Sequence, residues 1–316
     1  MRLLRKILDR SARLFGHGGP LEKLHPLYEA TDTFFYSPDK VTDCAPHVRD
    51  AIDLKRMMGI VVFALFPCIL MAMYNTGYQA NLLFAGGQFE PTGWRAEVIR
   101  ALGVGFSPDG VMACFVHGAL YFIPVLLVTY AAGGAIEVLF AIVRRHEVNE
   151  GFFVTGMLLP LIVPASIPLW QVAVAIIFAV LLGKEVFGGT GMNIFNPALV
   201  ARAFLFFAYP GQISGDAVWV AVDGFSGPTM LAVAKGMEAG ATAGVPGLLE
   251  SGHSWWDCFV GLIPGSMGET SALACLIGAV VLLVTQVASW RVMAGVVAGS
   301  LAMSLVFNGL AGQVKN

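Results

Sequence analysis

Charge is what this sequence has least of. Lys, Arg, Asp and Glu make up 13% of its 316 residues, against 57% hydrophobic residues and a mean hydropathy of +0.73. That balance lies outside the range of a soluble globular domain and puts the chain in a membrane. The net charge of −2 offers no basic footprint, which excludes a nucleic-acid partner. Cysteine is also sparse: Cys44, Cys68, Cys114, Cys258 and Cys275 are scattered and form no C-x-x-C pair, so no local zinc or iron–sulfur cradle is legible. Cys68, Cys114 and Cys275 fall in apolar runs and are expected to act as small packing residues. The opening MRLLRKILDRSARLF is basic and amphipathic, without the apolar core and cleavage site of a signal peptide. The amino terminus is therefore expected in the cytoplasm.

Several chemical patterns are missing as well. His146-Glu147-Val148-Asn149-Glu150 lacks the second histidine four residues on that a zinc helix needs, so no metal site is assigned. Gly188-Gly189-Thr190-Gly191 lacks the Gly-Lys-Ser/Thr end of a phosphate-binding loop and any preceding strand. There is no Ser-His-Asp or Cys-His arrangement, and no residue is assigned a catalytic role.

What is present is a series of helix-length apolar runs. Residues 1–56 hold ten of the nineteen Lys and Arg residues and read as a cytoplasmic amino-terminal segment. Membrane spans are expected at 57–74, 111–143, 152–164, 169–183, 198–209, 272–288 and 292–310, seven in all, with a loop over 75–110. The run 152–164 is short and contains Pro160 and Pro164, as in a broken or half helix. Residues 257–268 are expected to dip into the membrane and turn at Pro264-Gly265, behind the interfacial anchors Trp255 and Trp256. The chain thus divides into 1–56, a first membrane part at 57–210, a polar Gly-rich loop at 211–256 and a second membrane part at 257–316.

Counting Lys and Arg by side, fourteen fall on the cytoplasmic side and four, Arg95, Arg100, Lys235 and Lys315, on the other, with Arg202 inside a span. This puts Asp223-Gly224-Phe225-Ser226-Gly227-Pro228-Thr229, a turn-rich stretch with two hydroxyls and a carboxylate, on the non-cytoplasmic side. Two intramembrane polar sites stand out. Glu137 is either an interfacial partner of Arg144 or Arg145, or a cation or proton ligand near the cytoplasmic mouth. Asn193 and Asn196 either cap the helix opening at Pro197 or present amides to a flat heterocycle with imide edges.

Long stretches of the sequence resemble one family. They are His47-Val48-Arg49-Asp50, Arg145 through Thr155, Lys184 through Gly191, Asn196-Pro197-Ala198, Arg202 through Pro210, and Ile263-Pro264-Gly265-Ser266. The chain is similar, nearly end to end, to the B-type membrane subunit of the sodium-translocating NADH:quinone oxidoreductase (Na+-NQR). The resemblance implies an all-α integral membrane protein of the bacterial inner membrane, an inverted-repeat helical bundle with half helices like ammonium and urea channels, its second repeat incomplete within these residues. It implies one component of a six-subunit translocase that oxidises NADH, reduces ubiquinone and moves sodium ions. It further implies covalent FMN on Thr229, attached by a flavin transferase, with Asp223, Ser226 and Gly227 as motif partners. Riboflavin would lie near Asn193 and Asn196, quinone near Gly133 and Gly134, and the sodium pathway at Glu137. Pro228 departs from the family's alanine, fixing the backbone before the acceptor and removing an N–H. The related membrane subunit of the Rnf ferredoxin:NAD complex, and a flavin-free channel or transporter, are the alternatives. The long polar lead and the His-Glu-Val-Asn-Glu-Gly run favour the quinone reductase, and absence of bound flavin would favour a channel.

Overall fold

The structure, a computed structural model, describes residues 2–16, 19–22 and scattered positions up to 52, then 54–314 except 88, 145–147, 149–150, 215–218, 224, 226 and 235–252. Among the described residues the regular structure is helical throughout, as the apolar composition predicts for a chain that crosses a bilayer. An amphipathic helix, α1 (Arg2–Phe15), buries Leu8 and pairs Arg5 with Asp9 and Asp32.

The first membrane helix is longer than its hydropathy suggests. α2 (Leu54–Ala64) and α3 (Phe66–Ala85) join at Leu65, where Pro67 in the first turn of α3 removes a backbone donor and breaks the ladder. Together they run 32 residues, whereas the sequence predicts a span ending at 74 and a loop beyond it. The correction has a physical cause: Asn75, Thr76, Gly77 and Asn81 read as polar loop, yet all are buried within α3 against protein. Past the end of α3, the expected 75–110 loop holds a further short helix, α4 (Gly93–Leu102).

α5 (Val111–Arg144) is a 34-residue helix with Pro124 inside it. α6 (Gly151–Ile162) and α7 (Leu169–Gly183) follow, the latter continued by a single 3-10 turn at Glu185–Phe187. After α8 (Pro197–Ala208) the chain passes through the short α9 (Met230–Ala234) and α10 (Trp255–Val260), then α11 (Ala272–Val284) and α12 (Trp290–Val314). Each of the seven predicted apolar runs is helical, but among the described residues only four helices are long enough to cross a bilayer alone: Leu54–Ala85, Val111–Arg144, Leu169–Phe187 and Trp290–Leu310. α6 and α8, at 12 residues, and α11, at 13, reach only about 18–20 Å at the α-helical rise.

Half-length helices leave backbone ends that need partners inside the membrane. The segment expected to dip at 257–268 supplies them. Only Trp255–Val260 is helical there; the rest is irregular backbone, with Ser266, Met267, Thr270 and Ser271 buried. Met267 N donates to Val163 O at 3.2 Å and Gly268 N to Leu161 O at 2.8 Å, so this segment pairs with the end of α6. Asn75 Nδ2 donates to Ile263 O at 2.9 Å and lies 3.3 Å from Thr270 Oγ1. The buried polar face of α3 and the irregular segment thus satisfy each other. Trp255 and Trp256 are exposed, as interfacial anchors require.

Two contacts set which loops share an end of the bundle. Arg144, closing α5, bonds to Glu185 after α7. Trp170, opening α7, meets Tyr209 after α8 in an edge contact at 5.3 Å.

Candidate functional site

The chain around Thr229 is pinned toward the amino-terminal half of α5, away from Arg144. Trp219, Val220, Ala221 and Val222 are buried, and Trp219 Nε1 donates to Ser214 O at 2.7 Å. Tyr121 on α5 donates its hydroxyl to Ala221 O at 3.1 Å, and Phe225 packs edge-on to Phe89 at 5.6 Å. Gly227 is buried beside the Phe225 ring, which a Cβ there would approach to 3.2 Å. Thr229 is half-buried and its Oγ1 accepts from Ala232 N at 3.3 Å, so the expected acceptor hydroxyl also opens α9. Asp223 is exposed and borders a small polar recess with Glu90, Arg95, His117 and Tyr121. In that recess the Arg95 guanidinium stands 4.1 Å from the Tyr121 ring centre while Nε donates to Leu120 O. Ser226 lies outside the described residues.

Asn193 and Asn196 fall in the turn between the 3-10 segment and α8. Asn193 Oδ1 accepts from Gly191 N at 3.2 Å and its Nδ2 donates to Phe195 O at 2.8 Å. Asn196 Oδ1 accepts from Ala198 N at 2.9 Å, an N-cap that satisfies one of the open donors of α8. The capping role is therefore present. Asn196 also borders an apolar groove of about 740 Å³ between α7 and α8, lined by Phe178, Phe195, Leu199, Phe204 and Phe207. The groove is open to its surroundings, with Phe195, Leu199 and Phe207 exposed.

Gly133 and Gly134 sit on α5 where α6 and α7 pack. A Cβ on Gly133 would come within 2.6 Å of the Phe152 ring and 2.8 Å of Ile176, whereas one on Gly134 would meet Phe152 at an ordinary 3.6 Å. Gly133 is thus a close-packing residue, and Gly134 is not constrained in that way. The contact is reciprocal, since the Tyr130 ring covers Gly156 on α6 and its hydroxyl donates to Phe153 O at 2.7 Å.

One turn further along α5, Glu137 is buried and accepts from Lys184 Nζ. The expectation of a pair with Arg144 or Arg145 is corrected for Arg144, which reaches Glu185 instead, NH1 to Oε2 at 3.0 Å and NH2 to the backbone oxygen at 2.8 Å; Arg145 lies outside the described residues. Lys184 and Glu185 are themselves buried. Neither is legible as a site residue from sequence, because a Lys-Glu dipeptide closing an apolar run reads as a solvated helix end. Glu185 opens the 3-10 turn and is held to α5 by Arg144, while Val186 and Phe187 after it are exposed. An isolated buried ion costs several kcal/mol, and alternation of sign along Glu137, Lys184, Glu185 and Arg144 is what offsets that cost.

Comparison with known proteins gives the family. The family described as NQR2, RnfD, RnfE matches residues 41–316. A protein of Pseudomonas paraeruginosa, named as the B-type subunit of Na(+)-translocating NADH-quinone reductase, is 56% identical over 313 residues, covering 97% of this chain and 75% of that protein. The protein of the same name from Azotobacter vinelandii is 54% identical over 309 residues, with the same coverage of both chains. In Chromohalobacter salexigens the figure is 53% over 309 residues, covering 97% of this chain and 73% of the relative. A match of this length and identity has one meaning, and the chain belongs to the NQR2, RnfD, RnfE family of multi-pass membrane proteins.

Proposed function

We propose that this chain is the B-type membrane subunit of a Na(+)-translocating NADH-quinone reductase in a bacterial inner membrane, where it carries electrons between flavins and on to ubiquinone. The observation that carries the reading is identity above 50% to proteins of that name across 97% of the chain. Its partners are the other five subunits, ubiquinone, sodium ion and, for maturation, a flavin transferase.

In this reading Thr229 accepts FMN as a phosphoester and the groove beside Asn196 takes riboflavin. The flavins supply one- and two-electron chemistry, and the protein supplies position and electrostatics. Tyr121 and Phe89 hold the acceptor segment against α5 through Ala221 and Phe225. This fixes where an attached group stands relative to the bundle. Asp223 and Gly227 precede the acceptor, the first exposed and the second buried, which suits a motif read from outside while its backbone is anchored. Ser226 completes the motif by its position in the sequence. Gly134, where a substituent would make only ordinary contact with Phe152, is the better placed of the two glycines to border quinone. Glu137 is a point on the sodium path, and cation movement is coupled to electron transfer through a shift between inward- and outward-facing states.

The test is Thr229→Val in the assembled complex. Loss of this chain's fluorescent flavin band on a denaturing gel is expected, and the Thr229 peptide of the parent should carry the mass of an esterified FMN. A band that survives in the variant overturns the acceptor assignment.

A further inference from the structure

α1 packs by one side and leaves the other open. Leu8 is buried, Phe15 stacks on Tyr28 with ring centres 5.7 Å apart, and Arg5 pairs with Asp9 and Asp32 and lies 5.0 Å over the Tyr36 ring. These contacts turn that side toward residues 28–36. On the opposite side Lys6, Arg10 and Leu14 are exposed, and their four-residue spacing puts them in one row along the helix. Leu21 N donates to Leu14 O at 3.1 Å, which sets a second exposed leucine at the end of that row. Among the described residues neither Lys6 nor Arg10 has an ion pair, whereas the carboxylate of Asp9 on the same helix is taken by Arg5. Glu22, beside Leu21, already interacts within the protein.

We propose that the row Lys6, Arg10 and Leu14, with Leu21 at its end, is a binding surface for the headgroups of anionic phospholipids on the leaflet that α2 enters. A helix with basic residues beside an apolar edge is of the kind that lies in the plane of a membrane surface, its apolar side chains reaching the acyl boundary and its cations meeting lipid phosphates. Lysine and arginine suit that depth, because their apolar stems can lie along the boundary while the charged heads stay among the headgroups. The surface discriminates by charge: each basic side chain near an anionic leaflet adds about a fivefold gain in binding, which a zwitterionic leaflet does not supply. Proximity is built into the chain. Residues 17–53 tether α1 to the apolar helix that starts at Leu54, so the lipid surface is always within reach and a contact that is weak between free molecules becomes well populated.

The experiment places the protein, purified with the subunits that accompany it, in nanodiscs of phosphatidylcholine alone and of equal parts phosphatidylcholine and phosphatidylglycerol. Amide hydrogen exchange within residues 2–15 is then followed by mass spectrometry. Exchange should be slower in the discs with phosphatidylglycerol, by about 25-fold for two basic side chains, and the difference should shrink as NaCl is raised, because salt screens exposed charge. Lys6→Gln/Arg10→Gln keeps good helix formers at both positions and should abolish the difference, while exchange in phosphatidylcholine stays as in the parent if the helix is intact. Slow exchange of the parent in both lipids would show that a protein subunit covers the row, and fast exchange in both that water does; either result overturns the proposal. So does a Lys6→Gln/Arg10→Gln variant that keeps the phosphatidylglycerol effect. If that variant unravels α1, the comparison of the parent between the two lipids and its salt dependence still decide.

Discussion

Gly77 on α3 and Gly118 on α5 bring the two helices together backbone to backbone. A Cβ on Gly118 would lie 1.7 Å from the carbonyl oxygen of Met73, and one on Gly77 would lie 1.9 Å from that of Cys114. The obstacle is main chain on both sides, which no side-chain rotation relieves. Small residues at such crossings are how helices in lipid gain close packing, where no hydrophobic force drives them together.

Gly118→Ala should therefore separate the helices and cost about 3 kcal/mol, the upper range for overpacking. A lowered unfolding temperature of the detergent-solubilised protein checks it. Gly295→Ala on the exposed α12, where a Cβ meets nothing within 4 Å, should leave that temperature unchanged.

The two glycines at 133 and 134 should separate in the same way. Gly133→Ala collides with Phe152 and Ile176 and is expected to destabilise by about 1–3 kcal/mol. Gly134→Ala is expected to stay within about 0.5 kcal/mol of the parent. A change in the KM for quinone in the Gly134 variant, at full stability, would mark contact with quinone and not packing.

Asn75→Ala leaves the Ile263 carbonyl without the 2.9 Å bond it now accepts. A buried acceptor left open costs about 1–3 kcal/mol, and the loss should be local. Faster cleavage within 261–271 by added protease, with the remaining helices unaffected, is the expected result.

Cys68 on α3 and Cys275 on α11 have their sulfurs 3.8 Å apart. Cys68 is buried and Cys275 exposed, and the sulfur of Cys275 packs on that of Cys68. A mild oxidant should join them into an intramolecular disulfide that shifts mobility on a non-reducing gel. Cys68→Ser or Cys275→Ser should abolish the shift, whereas Cys258→Ser should not.

Much of the fold is legible in the order of residues. The apolar runs at 111–143, 169–183 and 292–310 coincide with α5, α7 and α12 to within a few residues, because exclusion from water acts on each stretch independently. Asn75 and Asn81 misled for the converse reason: polarity marks a loop only if the helix faces water or lipid, and these side chains face protein. Asn196 as a helix cap is a local event and could be read from its place before Pro197. Lys184 could not, since its partner is 47 residues away.

By itself the sequence determined the membrane class, the positions of the apolar helices and the family to which the chain belongs, since these follow from transfer free energies summed along the chain and from the residues themselves. Only the tertiary structure decided that Glu137 meets Lys184, that Arg144 serves Glu185, that irregular backbone at 261–271 is paired with α6, and that Gly77 and Gly118 touch. Those pairings depend on how helices distant in sequence are rotated and shifted against one another. That register is set by packing of whole surfaces, which no single stretch encodes.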